Sequence, residues 1–568
     1  MKTLSTLLAS AALMAAAHLP AHAFCGFYAG KADANLFNEA SQVVMVRDGK
    51  RTVLSMLNDY KGPLSEFALV VPTPTTLQKG QVRVAEKLTF ERLDAYSSPR
   101  LAEYHDNDPC QVNLNWGDDA RRIYPMAMAM ADRRSAAAAP SASENVRNKA
   151  LGVTVEAQYT LEEYDIVSLS ATQSDGLETW LTENGYKIPK GASAALKPYI
   201  NQGMKFFVAK VNLKEQLKTG YTTLRPLQFA FESEKFMLPM RLGMLNAPPD
   251  KPQDLIVYML SKEGRVESSN YRTVKLPANM NLPFFVKPKF QDFYKDMFNS
   301  EAKKENHRVV FTEYFWDMAW CDPCAANPLS PEELRKAGVF WLDGNADDSF
   351  SVMTAPPGAS MKRIMPRPPG GGWGGGGQPV VLTRMHVRYT ANTFPEDLMF
   401  TQTKDRQNWQ TRYVVQQPYD SSVAQCSAKV GAMDCEAMCK PRVAQVLSAP
   451  TWEGQKQIYK DKDPIALQRD CVAACVVSKQ NGIAAASRYY QTDLPTRLST
   501  EKQTLAKLTG WKMSDIDAMP DARKFLGGDS YVAPTNNSGN SSENGTGSSL
   551  PPARPWWEQL FNSSKSAP

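Results

Sequence analysis

The chemistry that this sequence offers most clearly comes from Cys321 and Cys324, which lie in the motif Trp-Cys-Asp-Pro-Cys at residues 320–324. A Cys-x-x-Cys pair can cycle between dithiol and disulfide, with Cys321 as the attacking thiolate and Cys324 as the resolving thiol. A helix that begins at the first cysteine would favour the thiolate. Here Pro328 comes too soon for a helix to run through, and the next predicted helix begins after Ser330 as its cap. A structural local disulfide is therefore the favoured interpretation, and redox activity is the alternative.

The surroundings of this motif bear on both interpretations. After the apolar stretch 309–316, which predicts a strand, residues 320–324 resemble the active-site turn of thioredoxin-like oxidoreductases. The resemblance is confined to this stretch, because no thioredoxin-sized βαβ unit surrounds it. A zinc site on the same pair would need two more ligands, and His307 and His386 lack ligand-like spacing. We therefore predict no metal and no cofactor, and the sequence leaves open whether the protein is an enzyme.

Four further cysteines form two Cys-x3-Cys pairs, Cys435 with Cys439 and Cys471 with Cys475. Residues four apart lie on one face of a helix, so two antiparallel helices can be joined by two disulfides. The predicted bonds are Cys435 to Cys475 and Cys439 to Cys471. The arrangement resembles the twin Cys-x3-Cys helical hairpins of intermembrane-space and secreted proteins, which usually brace structure. Each crosslink would contribute roughly 2 to 4 kcal/mol of stability.

The two arms of this hairpin are unequally specified. Asp463 caps the second helix, with Pro464 in its first turn, and residues 481–482, Asn-Gly, are predicted to end it. The first helix is weaker, because Pro441 should kink or stop it.

Three cysteines remain, namely Cys25, Cys110 and Cys426. We expect Cys25 to pair with Cys110, which would hold down the mature N-terminus and leave Cys426 as the odd cysteine. The acidic stretch 105–109 lacks the glycine and the distal glutamate of an EF-hand loop, so it predicts a turn before Cys110 rather than a calcium site.

The first residues of the chain predict where it works. Lys2 precedes an apolar run at residues 4–17, and residues 21–23, Ala-His-Ala, fit a signal peptidase site. We predict cleavage after Ala23 and a periplasmic or secreted protein without a transmembrane segment in the mature chain. In that oxidising setting, cysteines form disulfides by default. A net charge of +6 over 568 residues is too dilute to indicate nucleic-acid binding.

The pattern along the chain predicts an α+β fold, with a mainly antiparallel sheet body in one or two lobes followed by a disulfide-linked α-helical C-terminal module. The clearest local signal is a hairpin over residues 42–57, turning at Asp48-Gly49. The predicted division is a signal peptide at 1–23, a β-rich lobe at 24–120, a linker or exposed loop at 121–150, an α+β region with Cys-x-x-Cys at 151–420, a helical twin Cys-x3-Cys module at 421–530 and a disordered tail at 531–568.

Several of these segments together resemble a bacterial family that is catalogued only as a domain of unknown function and whose members look like secreted or envelope proteins. The resemblance is carried by residues 24–34, 42–57, 66–74, 93–101, 108–110, 184–186, 206–211, 320–324 and 382–389. It covers roughly residues 24–420 and supports the predicted location and the cysteine pattern. It implies no catalytic residue, because the family has no assigned activity.

Two hypotheses about function follow. The first is a non-enzymatic, disulfide-stabilised protein of the periplasm or cell surface that binds or presents an unknown partner at the cell envelope. The second is a thiol-disulfide oxidoreductase-like protein that uses Cys321 and Cys324.

Overall fold

A computed structural model describes residues 27–30, 37–61, 67–112, 153–184, 188–189, 191–219, 224–246, 252–320, 322, 327–342, 378–448 and 463–525. The predicted signal peptide, the predicted linker at 121–150, the predicted tail from 531 and three cysteines, Cys25, Cys321 and Cys324, lie outside these residues. Within the described ranges, none of the helices combines the length and the apolar character that a membrane span requires.

Twenty strands are described, and most of them pair antiparallel. They are β1 Phe27–Gly30, β2 Phe37–Asp48, β3 Arg51–Lys61, β4 Phe67–Thr73, β5 Val82–Val84, β6 Arg100–His105, β7 Val153–Leu161, β8 Tyr164–Ala171, β9 Lys205–Val211, β10 Leu227–Glu232, β11 Met237–Leu238, β12 Gln253–Ser261, β13 Val266–Ser268, β14 Arg272–Lys275, β15 Met280–Leu282, β16 Val309–Asp317, β17 Val381–Tyr389, β18 Leu398–Gln402, β19 Trp409–Gln410 and β20 Arg412–Gln417.

The largest sheet has the order β14-β16-β17-β12-β2-β3-β10-β5, with β19 on β16. A five-stranded sheet has the order β1-β4-β9-β8-β7, and two small sheets have the orders β11-β18-β13 and β15-β20-β6. The parallel pairs are β2 with β12, β14 with β16, β15 with β20, and β20 with β6.

Eleven α-helices are described. They are α1 Lys87–Ser97, α2 Ser174–Glu183, α3 Ala192–Asn201, α4 Leu213–Thr219, α5 Phe290–Lys304, α6 Pro331–Lys336, α7 Val423–Gly431, α8 Cys435–Ser448, α9 Pro464–Arg488, α10 Leu494–Thr509 and α11 Met513–Asp517. The capping box predicted at Ser330 is confirmed, because its side chain accepts from the Glu333 amide while the Glu333 carboxylate accepts from the Ser330 amide.

The body is layered, with the five-stranded sheet packed against one face of the largest sheet. Phe207 of the smaller sheet meets Phe229 of the larger one, with ring centroids 4.6 Å apart, inside a shared apolar core. Helices α2 and α3 cover the outer face of the smaller sheet. On the other side, α1 and α6 bury Leu93 and Leu334 against the larger sheet. Both sheets therefore have an apolar core on each face, and the side chains of each strand point alternately into one core and the other.

At two turns the backbone geometry restricts which residue type can occupy the position. The predicted hairpin forms, but the turn is Gly49-Lys50 instead of Asp48-Gly49, since Asp48 pairs with Arg51. Gly49 has a φ of 58°, as the first position of a type II′ turn requires. Gly338, after α6, has a φ of 101°, and a Cβ there would lie 2.4 Å from Val53 Cγ1. Only glycine therefore fits this position.

The predicted disulfide hairpin is confirmed by bonds joining Cys435 to Cys475 and Cys439 to Cys471. The sequence predicts that Pro441 kinks or stops the first helix; it does not stop it, because α8 continues through Pro441 to Ser448. Two crosslinks to α9, at Cys435 and Cys439, hold the part of α8 that precedes Pro441. Helix α9 also continues past its predicted end, through residues 481–482, to Arg488.

The C-terminal helices pack on the body. Leu494 and Leu498 of α10 share an apolar core with Phe293 and Phe298 of α5. The predicted fold class, α+β with mainly antiparallel sheets followed by disulfide-linked helices, is thereby confirmed.

The prediction for the remaining cysteines is wrong. Cys110 is bonded to Cys426, so Cys110 is not the partner of Cys25 and Cys426 is not the odd cysteine. Both sulfur-bearing residues are buried, with 1% and 0% exposed. Helix α7 carries Cys426 to the segment that follows β6, a proximity that chain order does not reveal. This bond spans 316 positions and ties the body to the C-terminal helices.

Candidate functional site

The structure describes two residues of the Cys-x-x-Cys motif, Trp320 and Asp322, and their environments differ sharply. Trp320 is 63% exposed, and its carbonyl accepts from Trp316 Nε1 at 3.0 Å. The Asp322 side chain is fully buried, where Tyr314 donates to Oδ2 at 3.1 Å and Gln410 donates to Oδ1 at 3.4 Å. Asp322 therefore anchors the loop to the strands β16 and β19.

Cys321 and Cys324 lie outside the described residues, so the thiol pair stays a prediction. The first described helix after Trp320 is α6, whose cap is Ser330. Among the residues that the structure describes, no group of three or more His, Cys, Asp or Glu side chains is arranged to hold a metal ion.

A second candidate site begins with an irregularity in β16, the strand that leads into this motif. Thr312 pairs with Met385 and Tyr314 pairs with Arg384, so Glu313 is the extra residue of a β-bulge. Its carbonyl accepts from the Thr411 amide at 2.9 Å. The bulge places a carboxylate beside the face of β17 that carries Arg384.

Arg384 occupies the centre of this group and has no exposed side-chain surface. Its Nε donates to Glu313 Oε2 at 2.5 Å, and its Nη1 donates to Asp94 Oδ1 of α1 at 2.6 Å. The phenol of Tyr258 also donates to Asp94, at 3.1 Å, and Tyr294 of α5 donates to Glu313. Buried charges are tolerable only when paired and hydrogen-bonded in this way.

His386, two residues along the same face, extends the group. Its Nδ1 lies 2.7 Å from Glu313 Oε1 and its Nε2 lies 3.1 Å from Asp254 Oδ1. Arg388 forms a bidentate pair with Asp254, in which Nε donates to Oδ1 and Nη2 donates to Oδ2, each at 2.7 Å. Burial opposes a charge on His386, but the carboxylates of Glu313 and Asp254 outweigh it and raise its pKa. Burial likewise opposes the charge on Glu313, yet Arg384 and His386 lower the pKa of Glu313 to about 2.

We call these six charged side chains the buried network, namely Asp94, Asp254, Glu313, Arg384, His386 and Arg388. With His386 protonated and Asp94 ionised, three anions balance three cations, which suits a group removed from water. Burial raises the pKa of Asp94, and the Arg384 guanidinium opposes that rise. The network joins the sheet to α1 through Asp94, and Asn299 of α5 accepts a hydrogen bond from Arg388. The network thus connects the sheet to α1 and α5 through buried ion pairs and hydrogen bonds.

Sequence reasoning missed this network and considered His386 only as a zinc ligand without matching spacing. The signal was present in β17, where Arg384, His386 and Arg388 alternate with apolar residues at the period of a strand. Three cations on one face of an otherwise apolar strand indicate a buried face with acidic partners. The partners themselves come from three other elements, so spacing does not reveal them.

Comparison with known proteins finds a family that the chain matches. Residues 19–401 match the family described as an uncharacterized protein conserved in bacteria, DUF2330. The chain belongs to the DUF2330 family. The resemblance predicted for residues 24–420 is thus confirmed, and the match ends near β18. No curated protein and no solved structure matches the chain.

The whole buried network lies inside the DUF2330 match, whereas α7 to α11 follow it. Two carboxylates of the predicted turn hold these added helices. Asp106 accepts from Arg497 Nη1 at 3.0 Å and Nη2 at 2.7 Å, and Tyr489 also donates to it. Asp108 pairs with Lys429 at 2.6 Å. With the Cys110–Cys426 bond, these contacts form the junction between the DUF2330 body and the C-terminal helices.

Proposed function

We propose that this DUF2330 protein works outside the cytoplasm, after removal of a signal peptide near Ala23, as a disulfide-braced protein that binds or presents a partner at the cell envelope. The Cys110–Cys426 bond carries this proposal. A buried bond across 316 positions, with two further disulfides beside it, is typical of an oxidising compartment. The apolar run and the Ala-His-Ala site of residues 4–23 support the same location.

A binding role, rather than catalysis, is supported by the state of the titratable groups. In the described part of the chain, the buried network gathers acids, a histidine and arginines, which are the residue types of acid-base chemistry. Arg384 and Glu313 expose none of their side chains, so a substrate has no access to them. The network therefore stabilises the fold, and a partner would be bound by residues at the surface.

The location can be tested by expressing the full chain with its native N-terminus and fractionating the cells. Mass spectrometry should find a chain that begins at Phe24 in the extracytoplasmic fraction. Alkylation under denaturing, non-reducing conditions should leave Cys110 and Cys426 unmodified. An Ala23→Arg variant, which places a large cation at the predicted cleavage site, should accumulate as precursor. A wild-type chain that keeps Met1, stays in the cytoplasm and has both thiols alkylated would overturn the proposal.

Thiol-disulfide exchange by Cys321 and Cys324 would overturn the non-catalytic part of the proposal. We expect no insulin reduction by the wild-type protein and a reduction potential of the pair well below about −300 mV, as structural disulfides show. Insulin reduction that is lost in Cys321→Ser, but kept in Cys25→Ser, would establish an oxidoreductase instead.

A further inference from the structure

Helix α10 covers an apolar face of the body. Four leucines of α10 are buried in the core that it shares with α5 and β15, namely Leu494, Leu498, Leu505 and Leu508. The covered elements α5 and β15 lie inside the DUF2330 match, whereas α10 and α11 follow its end at residue 401. Lys502 of α10 pairs with Asp517 of α11 at 2.7 Å, so the two helices are joined to each other. They therefore form an added cover over one face of the body.

The cover is joined to the rest of the C-terminal helices by an irregular turn. Helix α9 continues into α10 through the π-helical turn Tyr489–Asp493. Such turns are rare and occur frequently at functional sites. Two disulfides join α9 to α8, and Ala486 of α9 is buried beside the Cys110–Cys426 bond. Helix α10 contains no cysteine. A crosslinked helix thus meets one without crosslinks at a turn where the chain can bend.

Where α10 meets the body, one guanidinium faces two carboxylates. Arg497 donates to Asp106 through both Nη atoms. Glu501, one turn further along α10, is only 3% exposed, and its Oε1 lies 3.7 Å from Arg497 Nε, which is too long for a hydrogen bond. Its Oε2 has no hydrogen-bond partner among the described residues. A buried carboxylate without donors is unfavourable as an anion, so the closed position of α10 favours the protonated form of Glu501.

The surroundings of Glu501 set the direction of its response to pH. Burial raises the pKa of Glu501 to about 7, while Arg497 opposes this rise and Asp106 adds to it. Strand β15 contributes no charged residue. The acids of three other neighbouring elements have partners of their own, namely Asp493 of the π turn with Arg488, Asp517 of α11 with Lys502 and Asp296 of α5 with Trp511.

If α10 leaves the body, Glu501 enters water, where its pKa has the ordinary value of 4.5. The closed position is therefore favoured fully below pH 4.5, and it loses stability relative to an open position as the pH rises to 7. Above pH 7 the carboxyl is ionised in both positions, and the balance no longer changes with pH.

We propose that α10 and α11 form a hinged cover on the DUF2330 body, which opens at the π turn and whose opening is controlled by the charge on Glu501. The Cys110–Cys426 bond keeps α7 to α9 attached in both positions. Because four leucines hold the cover closed, the open position is a minor state, in which the apolar face of α5 and β15 reaches solvent. This inference goes beyond the proposed function and does not depend on the location of the protein.

Hydrogen exchange of the full chain with its disulfides intact, followed by mass spectrometry at pH 5 and pH 7, tests the cover. Each exchange rate is divided by the intrinsic rate at that pH. We expect the protection of α10 amides to fall about 30-fold from pH 5 to pH 7, as linkage requires for a carboxyl with a pKa of about 7 when closed and 4.5 when open. Amides of α9 should lose less protection, because α9 stays crosslinked.

Glu501→Gln keeps the shape of the side chain but stays neutral, so the 30-fold fall should be absent in this variant and α10 should remain protected at pH 7. Glu183→Gln, at an exposed position of α2, is the control and should behave as the wild type. Circular dichroism at pH 5 establishes that both variants are folded.

Three results would overturn the inference. Exchange of α10 amides that is no faster than exchange of the β12 amides would mean that α10 opens only when the whole chain unfolds. Equal loss of protection in α9 and α10 would exclude the π turn as the hinge. A pH dependence that is the same in Glu501→Gln, or protection that rises with pH, would exclude control by Glu501. The fractionation and alkylation results do not depend on the cover, so a failure here leaves the proposed location standing.

Discussion

Removal of the Cys110–Cys426 disulfide is the sharpest test of how this molecule is held together. The Cys110→Ser, Cys426→Ser double variant removes the bond without leaving an unpaired thiol from it. Because the bond spans 316 positions, the chain-entropy relation assigns it about 6 kcal/mol of stability at 25 °C. The folded state should persist, because Asp106 and Asp108 still hold the junction through Arg497 and Lys429.

The matched control removes the Cys435–Cys475 bond, also by two serines. Cys439 and Cys471 remain bonded and already close that hairpin, so the second bond closes only a ring of roughly ten residues. The same relation then gives about 3 kcal/mol for the control. The junction disulfide should therefore contribute about twice as much as a bond of the hairpin.

Urea unfolding followed by far-ultraviolet circular dichroism and tryptophan fluorescence measures both effects. The dependence of the unfolding free energy on urea must be fitted for each variant, because a lost crosslink also expands the unfolded chain. A decrease below about 1 kcal/mol for the junction variant, or one no larger than that of the hairpin variant, would refute the reasoning.

Three further predictions concern single side chains. Glu313→Gln should lower the free energy of unfolding by about 3 to 5 kcal/mol in urea titrations, because it removes a buried anion that is paired with Arg384 and His386. Glu332→Gln, at an exposed position, is the control and should change the free energy of unfolding by under about 0.5 kcal/mol. Burial raises the pKa of Glu501 from 4.5 to about 7, so the stability that protonated Glu501 contributes is complete below pH 4.5 and decreases by about 3 kcal/mol as the pH rises to 7. In Glu501→Gln this part of the pH dependence, measured by urea unfolding, should be absent, and an equal slope would contradict the assignment. Gly338→Ala should lower the free energy of unfolding by about 2 to 4 kcal/mol in thermal unfolding, because the positive φ and a steric clash with Val53 combine. Gly510→Ala also has a positive φ but open space around it, so it should lower the free energy by about 1 kcal/mol. Equal losses of stability in the two variants would exclude the clash.

Short-range features were predictable from the chain. The hairpin over residues 42–57, the capping box at Ser330 and the pairing of two Cys-x3-Cys helices each depend on residues within a few positions or on one face of a helix. The one-residue error at Gly49 shows the limit, because the strand register, set by the cores on both faces of the sheet, decides which residues occupy the turn.

Longer-range features were not predictable from spacing. Cys110 finds Cys426 because α7 packs against the segment that follows β6, and chain order does not reveal this proximity. The acidic partner that β17 needs for Arg384 comes from a bulge at Glu313, whose backbone irregularity has no sequence signature of its own.

The sequence by itself determined the α+β class, the disulfide-linked helical hairpin and the family. These follow from composition, from periods of two and four residues, and from caps, all of which act locally. Only the tertiary structure decided that the acids after β6 bind the C-terminal helices and that the cations of β17 face buried carboxylates. It alone showed that Asp106 and Glu501 lie beside one guanidinium, that of Arg497. Partners in such contacts are chosen by proximity in the folded chain, because charge and hydrogen-bond complementarity act across a few ångströms regardless of separation in sequence.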